Sequence, residues 1–293
     1  MKPHKLLELT LLAALWGGSF LFIRYAAPAF GVAPLIWLRV AIAALCLVPL
    51  LLWRGQGDIL RQHAGTLVLM GIFSTALPFV LIAWAMLSLT AGLASILNAA
   101  TPIFTAVIAA LWLHDRLNKS QMLGLVIGFA GVLLLAADKA DFKPGGSGWA
   151  IVAMLLATLS YGVGANMTKH YLGGVPPLVN AAGSQLVSTL ILSPLAWWFW
   201  PAKMPENMAW GAVIALGVGC TALAFLMFFR LIATIGAART ITVTFLIPLF
   251  GVLWGSLFLN ETVNAGMLVG GGIVILGTSL ATGVFRLHRS KLA

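Results

Sequence analysis

Seven acidic residues, five histidines and two cysteines are all that the 293-residue chain offers for acid–base, metal or nucleophilic chemistry. They form no working constellation. His4, His63, His114, His170 and His288 fall at or beyond the ends of long apolar blocks, and neither H-E-x-x-H nor G-x-S-x-G occurs. Cys46 and Cys220 stand singly inside such blocks, without disulfide or metal-ligand spacing, and read as small apolar packing residues. No G-x-x-x-x-G-K-[ST] loop is present to cradle a nucleotide phosphate. The sequence therefore predicts no catalytic residue, no metal site and no cofactor. What it offers is recognition. Isolated hydrogen-bonding groups sit in the middle of apolar runs: Ser19, Thr75, Asn98, Thr101, Thr158, Tyr161, Thr221 and Thr244, with a single embedded charge, Arg39.

The elements that must position these groups follow from composition. With 61% hydrophobic and 8% charged residues, the chain is unsuited to water, and its apolar residues come in blocks of about 20, the length a helix needs to cross hydrocarbon. Ten blocks are predicted, at 6–26, 33–53, 65–88, 91–113, 120–137, 148–168, 177–200, 209–233, 237–259 and 265–285. The first resembles a signal peptide but is too long and lacks a clean cleavage site, so it reads as a retained span. The expected fold is an all-α integral membrane protein of ten transmembrane helices in the lipid bilayer, with no soluble domain. Trp37, Trp53, Trp112, Trp149, Trp198, Trp200 and Trp210 lie near span ends, where interfacial belts place them.

An even number of spans puts both termini on one face. That face collects Lys2, Lys5, Arg54, Arg61, Arg116, Lys119, Lys169, Arg230, Arg239, Arg286, Arg289 and Lys291, against only Arg24, Lys139, Lys143 and Lys203 opposite. The positive-inside rule then makes both termini cytoplasmic. The net charge of +10 is thus a topology signal rather than a nucleic-acid footprint.

The chain also repeats itself. At an offset of 145, Trp16 meets Tyr161, Gly17 meets Gly162, Arg24 meets Lys169, Pro49 meets Pro194 and Trp53 meets Trp198. From the third span the offset is 146, and Gly71 meets Gly217, Phe79 meets Phe225, Pro102 meets Pro248 and Asp115 meets Glu261. The repeats occupy 1–138 (spans one to five) and 147–285 (spans six to ten), followed by a basic tail at 286–293. Five spans is an odd number, so the halves run in opposite orientations. Such inverted repeats expose a shared midplane site first to one side and then to the other, which is the architecture of secondary carriers. An intramembrane enzyme would need a nucleophile–base pair or metal cluster at depth, and a structural or receptor protein has no use for the inversion.

Polar groups at depth either bond a neighbouring helix or line a wet cavity. Serines and threonines can satisfy themselves on their own helix. Asn98 cannot easily do so with four hydrogen-bonding positions. The candidate solute-binding residues are therefore Trp16, Ser19, Arg39, Asn98, Thr101, Tyr161 and Thr244, with Trp16 and Tyr161 either walling the cavity or simply packing. Pro102 and Pro248 each free a carbonyl four residues earlier, at Asn98 and Thr244, and are expected to kink the fourth and ninth spans beside the solute. Arg39 lies about 7 Å below the outer interface at about 1.5 Å per residue. It either snorkels outward or anchors a carboxylate or phosphate. Asp115 and Glu261 are expected to cap or anchor the start of the helix that follows each.

The chain resembles the EamA-type carriers of the drug/metabolite transporter superfamily over essentially its full length. The resemblance rests on Leu15-Trp-Gly-Gly-Ser-Phe-Leu-Phe-Ile-Arg24, Pro34…Arg39, Ala91-Gly-Leu-Ala…Thr101-Pro102 and Asp115-Arg116-Leu117 followed by Gly124…Gly128…Gly131. Pro248…Asn260-Glu261-Thr262 with Gly270…Gly277 repeats the form in the second half. It implies export of a small metabolite, such as an amino acid, through a central cavity from which the fifth and tenth spans stand apart. Gly124-x-x-x-Gly128 and Gly266-x-x-x-Gly270 suit close packing of those two spans, within a monomer or across a homodimer. Related small multidrug carriers use a glutamate in the first span; here that region reads Ala13-Ala14-Leu15, which argues against cationic substrates and leaves only Glu8 at the span's mouth.

Overall fold

The computed structural model describes residues 3–115, 117–137, 141–143 and 146–284. Lys2, Arg116, the Asp138/Lys139 pair and the tail 286–293 lie outside the described residues. Among the described residues, ten apolar helical spans follow one another: Pro3–Phe30, Val32–Trp53, Ala64–Ala85, Ala91–Trp112, Lys119–Ala137, Gly148–Tyr171, Pro177–Trp198, Asn207–Ile235, Val243–Leu259 and Ala265–Ala281. The first eight are each long enough to cross a bilayer, and the last two are apolar helices of 17 residues. The chain is an all-helical multi-pass membrane protein. Helices are what hydrocarbon demands, because only they satisfy every backbone group within one segment.

Packing follows the small residues. The fifth span lies along the tenth, where a Cβ on Gly124 would sit 2.7 Å from the Gly277 carbonyl oxygen, and one on Gly131 2.8 Å from the Val274 amide. The close approach is intramolecular and falls on Gly277 and also on Gly270, where a Cβ would meet the Leu135 side chain at 2.6 Å. The first span crosses the ninth, where a Cβ on Gly17 would meet the Phe250 Cβ at 2.6 Å. The sixth crosses the fourth, where one on Gly162 would meet the Thr105 amide at 3.0 Å and the Phe104 carbonyl carbon at 3.1 Å. Gly71 of the third span abuts Val187 and the Ser184 carbonyl, and Gly217 of the eighth abuts Ile42 and the Arg39 carbonyl.

Several spans are irregular, in places that matter. The third and eighth each contain a π-helical turn, Ile72–Ala76 and Ala215–Leu223. Such turns are rare and cluster at functional sites. The fourth span breaks after Asn98 and restarts at Thr101, with Pro102 at the second helical position, where a missing N–H costs little. The expected kink thus lies two residues before the proline. The ninth span departs from expectation more strongly: Pro248 sits inside an unbroken helix, and the interruption falls earlier, between a short turn Ala237–Thr240 and Val243. Having lost only one amide late in its first two turns, the helix can absorb Pro248 by its own curvature.

The two acidic span ends also correct the sequence reading. Neither caps the next helix. Asn264 Oδ1 accepts the Met267 amide at 2.8 Å to start the tenth span, and Asn118 and Gln121 exchange amide bonds to start the fifth. The Glu261 carboxylate instead reaches across the molecule to accept the Ala91 and Gly92 amides at 2.7 and 3.1 Å, capping the fourth span. Asp115 pairs with Lys169 at 2.7 Å. Among the interfacial tryptophans, Trp53, Trp149 and Trp198 are exposed as a belt requires, whereas Trp37 turns inward to donate to Ser193 Oγ at 3.0 Å, and Trp210 packs edge-on against Phe30.

Candidate solute-binding cavity

The spans enclose a cavity of about 630 Å³, within the range of small-molecule sites. Its far end, at mid-depth, is lined by Ile23, Arg39, Phe79 and Ile82. Its mouth is lined by Leu172, Val175, Pro177, Asn180 and Ile232, at the hairpin joining spans six and seven and the end of span eight. By the count of spans, that is the face from which the first span starts. At the opposite face, Ala26, Ala27, Phe30, Leu35, Ile36, Met86, Leu89 and Ala91 are almost wholly buried and pack into one core. Among the described residues, the cavity is thus open to one side only. No residue of the fifth or tenth span lines it among the described residues.

Trp16, Ser19, Arg39, Asn98, Thr101, Tyr161 and Thr244 all line this cavity, as does Pro102; Pro248 does not. Trp16 packs against Phe228, ring centroids 5.2 Å apart, and Tyr161 stands edge-on to Phe79 at 6.4 Å, so both are aromatic walls. Thr75 also lines the cavity, while Thr158 is buried on its own helix, bonded to the Leu155 carbonyl. The Asn98 carbonyl freed by Pro102 accepts the Thr101 hydroxyl at 2.7 Å, and the Thr244 hydroxyl bonds the Ile241 carbonyl at 2.8 Å. The kink therefore satisfies itself. We expect Thr101→Val to cost about 1–3 kcal/mol of stability, measured by thermal unfolding in detergent, because the Asn98 carbonyl loses its partner.

Within the cavity wall, the side chains that remain unsatisfied are different ones. Asn98 Oδ1 and Ser19 Oγ, both in the cavity wall, are buried without a hydrogen-bond partner. Arg39 is the only charged residue in the wall among those described. It does not snorkel: it is 5% exposed, its Nε donates to Thr221 Oγ1 at 3.0 Å, and its guanidinium lies 3.6 Å from the centroid of the Phe79 ring. Thr221 belongs to the π-helical turn of span eight and passes its own proton to the Leu216 carbonyl, five residues back, at 2.8 Å. The turn therefore leaves the threonine oxygen free to accept from the arginine. The ion pairs among the described residues are Lys5–Glu8, Lys169–Asp115 and Arg230–Glu8, so no carboxylate neutralises Arg39. Glu8 is held between Lys5 and Arg230 at the terminal face and does not line the cavity.

Some wall residues escaped the sequence reading. Thr168 and Asn180 are ordinary polar residues toward the ends of spans, while Ser74 sits mid-span beside Thr75 and Ser184 is the repeat partner of Arg39. Phe225, Phe228 and Phe229 are a stripe at i, i+3 and i+4 on span eight, a periodic signal that was available. Asn166, not singled out either, donates to the Thr105 and Gly162 carbonyls and ties span six to span four.

Comparison with known proteins agrees with this architecture. The EamA-like transporter family pattern matches residues 6–137 and again 148–283. A probable terminal-alkyne amino-acid exporter of Streptantibioticus cattleyicolor is 27% identical, over 93% of this chain and 91% of that one. Uncharacterised transporters of Archaeoglobus fulgidus and Bacillus subtilis are 22% and 27% identical, over 93% and 95% of this chain and 96% and 91% of theirs. A solved structure described only as a crystal structure of protein superposes with a TM-score of 0.68 at 20% identity, over 97% of this chain and 98% of that one, and shares the fold. With two matched segments covering nearly the whole length, the chain belongs to the EamA-like transporter family.

Proposed function

We propose that this protein is a secondary-active exporter of a small carboxylate-bearing metabolite, an amino acid or a close relative, working by alternating access across the cell membrane, and not an enzyme. The observation that carries this reading is Arg39: a buried guanidinium without a counter-ion among the described residues, held by Thr221 and Phe79 in the wall of the cavity. Leaving a charge unpaired at depth is costly, and a carboxylate bound in fork geometry relieves that cost. The same charge repels cations. Asn98 Oδ1 and Ser19 Oγ supply neutral acceptors for an ammonium group, and the aromatic stripe of span eight suits an apolar body. The relative from Streptantibioticus cattleyicolor, named for amino-acid export, supports the substrate class.

The Lys/Arg asymmetry supports cytoplasmic termini, which turns the open mouth toward the cytoplasm, the loading side for an exporter. The inverted repeat is supported by contacts that exchange when the halves are swapped. Gly17 against Phe250 answers Gly162 against Phe104, and Gly71 against Val187 and Ser184 answers Gly217 against Ile42 and Arg39. The close faces of spans five and ten are used within one chain, which supports a monomer. Counterflow of labelled amino acids in proteoliposomes tests the reading. Uptake into vesicles preloaded with unlabelled carboxylate substrate, and none with decarboxylated amines, is the expected result; no counterflow with any amino or organic acid overturns it.

A further inference from the structure

The two halves agree in detail even where the termini of spans four and nine meet solvent. His114 and Asn260, 146 residues apart, both adopt positive φ, at 56° and 53°. The next residue in each case turns its amide back onto an equivalent carbonyl: Asp115 to Ala109 at 3.2 Å, Glu261 to Gly255 at 3.1 Å. The two carboxylates therefore leave the same backbone turn. Only their destinations differ. Glu261 binds the Ala91 and Gly92 amides, while Asp115 binds Lys169. The repeat partner of Lys169 is Arg24, and it too is engaged elsewhere: its Nη1 donates to the Met86 and Leu87 carbonyls at 2.6 and 3.0 Å.

At the closed rim, a cation and a carboxylate thus grip the hairpin between spans three and four from both sides, one on its last carbonyls and the other on its first amides. At the open rim the equivalent cation and carboxylate hold each other instead, half-exposed, with side-chain accessibilities of 62% and 49%. We propose that these are two copies of one charge clamp that alternate during transport. This rests on the alternating-access reading above. When the cavity opens to the other side, Lys169 and Asp115 part. Lys169 moves to the Ile232 and Ala233 carbonyls and Asp115 to the Ala237 and Ala238 amides, the positions that correspond to Met86, Leu87, Ala91 and Gly92. Arg24 and Glu261 release their hairpin and pair with each other. The exchange keeps every one of these ions hydrogen-bonded, to a counter-ion at the open rim and to helix-end backbone at the gripped one. It closes whichever rim has its hairpin gripped, because charge-assisted bonds to helix ends draw the hairpin against spans one and nine, or six and four.

The test measures which rim is closed. Single cysteines are added as Val175→Cys at the open mouth and Ala27→Cys beneath the closed rim, and labelling by a membrane-impermeant maleimide is followed in oriented vesicles, with the parent protein subtracting any signal from Cys46 and Cys220. Glu261→Gln is expected to raise Ala27→Cys labelling about tenfold and to slow Val175→Cys. Asp115→Asn is expected to shift both in the opposite direction under substrate turnover. Arg24→Met and Lys169→Met read the same two clamps from their cationic ends and replace either variant that does not insert. If both clamps shift labelling in the same direction, or neither shifts it while counterflow persists, the clamp is wrong. If the parent itself shows no counterflow, the transport reading has failed instead.

Discussion

Arg39→Gln is expected to raise the half-saturating concentration of carboxylate substrates in counterflow by roughly 10- to 100-fold, the equivalent of the about 1.5–3 kcal/mol typical of hydrogen bonds to a charged group. Decarboxylated analogues should be unaffected or better tolerated, since the positive field that opposes an amine is gone. The contrast between the two substrate sets separates binding from mere stability, which would depress both alike. Arg39→Lys should recover only part of the affinity. A lysine retains the charge, but has no fork for a carboxylate, and its ammonium cannot lie flat on Phe79 while donating to Thr221 as the guanidinium does. Thr221→Val is a milder probe of the same arrangement. It leaves the charge in place but removes the acceptor that aims it, so a loss confined to carboxylate substrates is the expected outcome.

The second large effect is structural. Gly277→Leu should prevent spans five and ten from packing and is expected to abolish accumulation of folded protein, or to cost at least about 3 kcal/mol where it is tolerated. The reason is that a Cβ on Gly277 would land on the backbone of Gly128 and within 2.7 Å of the Gly124 carbonyl oxygen, and backbone cannot give way as a side-chain tip can. Gly272→Leu, on the same span, meets nothing within 4 Å and serves as the matched control. Size-exclusion profiles of the two variants in detergent decide it: equal monodispersity would show that the helix pair has slack the close contacts do not suggest. Since no described residue of either span lines the cavity, any Gly277 variant that does fold should keep its substrate preference.

The place of Asn98 illustrates how far residue types alone can lead. An amide with four hydrogen-bonding positions in the middle of an apolar run has to find partners off its own helix or face water, and Asn98 Oδ1 lies unpartnered in the cavity wall. Trp16, Ser19, Thr101, Tyr161 and Thr244 reach the same cavity from spans one, four, six and nine, although the Thr101 and Thr244 hydroxyls bond backbone carbonyls just before them in the chain. Pro248 shows the opposite. Its equivalence to Pro102 is real in sequence, yet Pro102 stands at the start of a helix that restarts after a break, whereas Pro248 lies inside an unbroken one.

The sequence by itself determined the helical membrane fold, the approximate place of all ten spans, the repeat, and the exclusion of familiar catalytic and nucleotide-binding motifs. All of these rest on local hydropathy, residue type and spacing, which survive any arrangement of the spans. The tertiary structure decided the rest. Arg39 points inward because Thr221, 182 residues away, sits on a π-helical turn that leaves its oxygen free. Glu261 caps a helix 170 residues distant rather than the one it precedes. The two rims differ in their contacts: Lys169 and Asp115 hold each other at one, whereas Arg24 and Glu261 hold the hairpin between spans three and four at the other. A duplicated sequence favours both choices equally, and only packing in a particular state separates them.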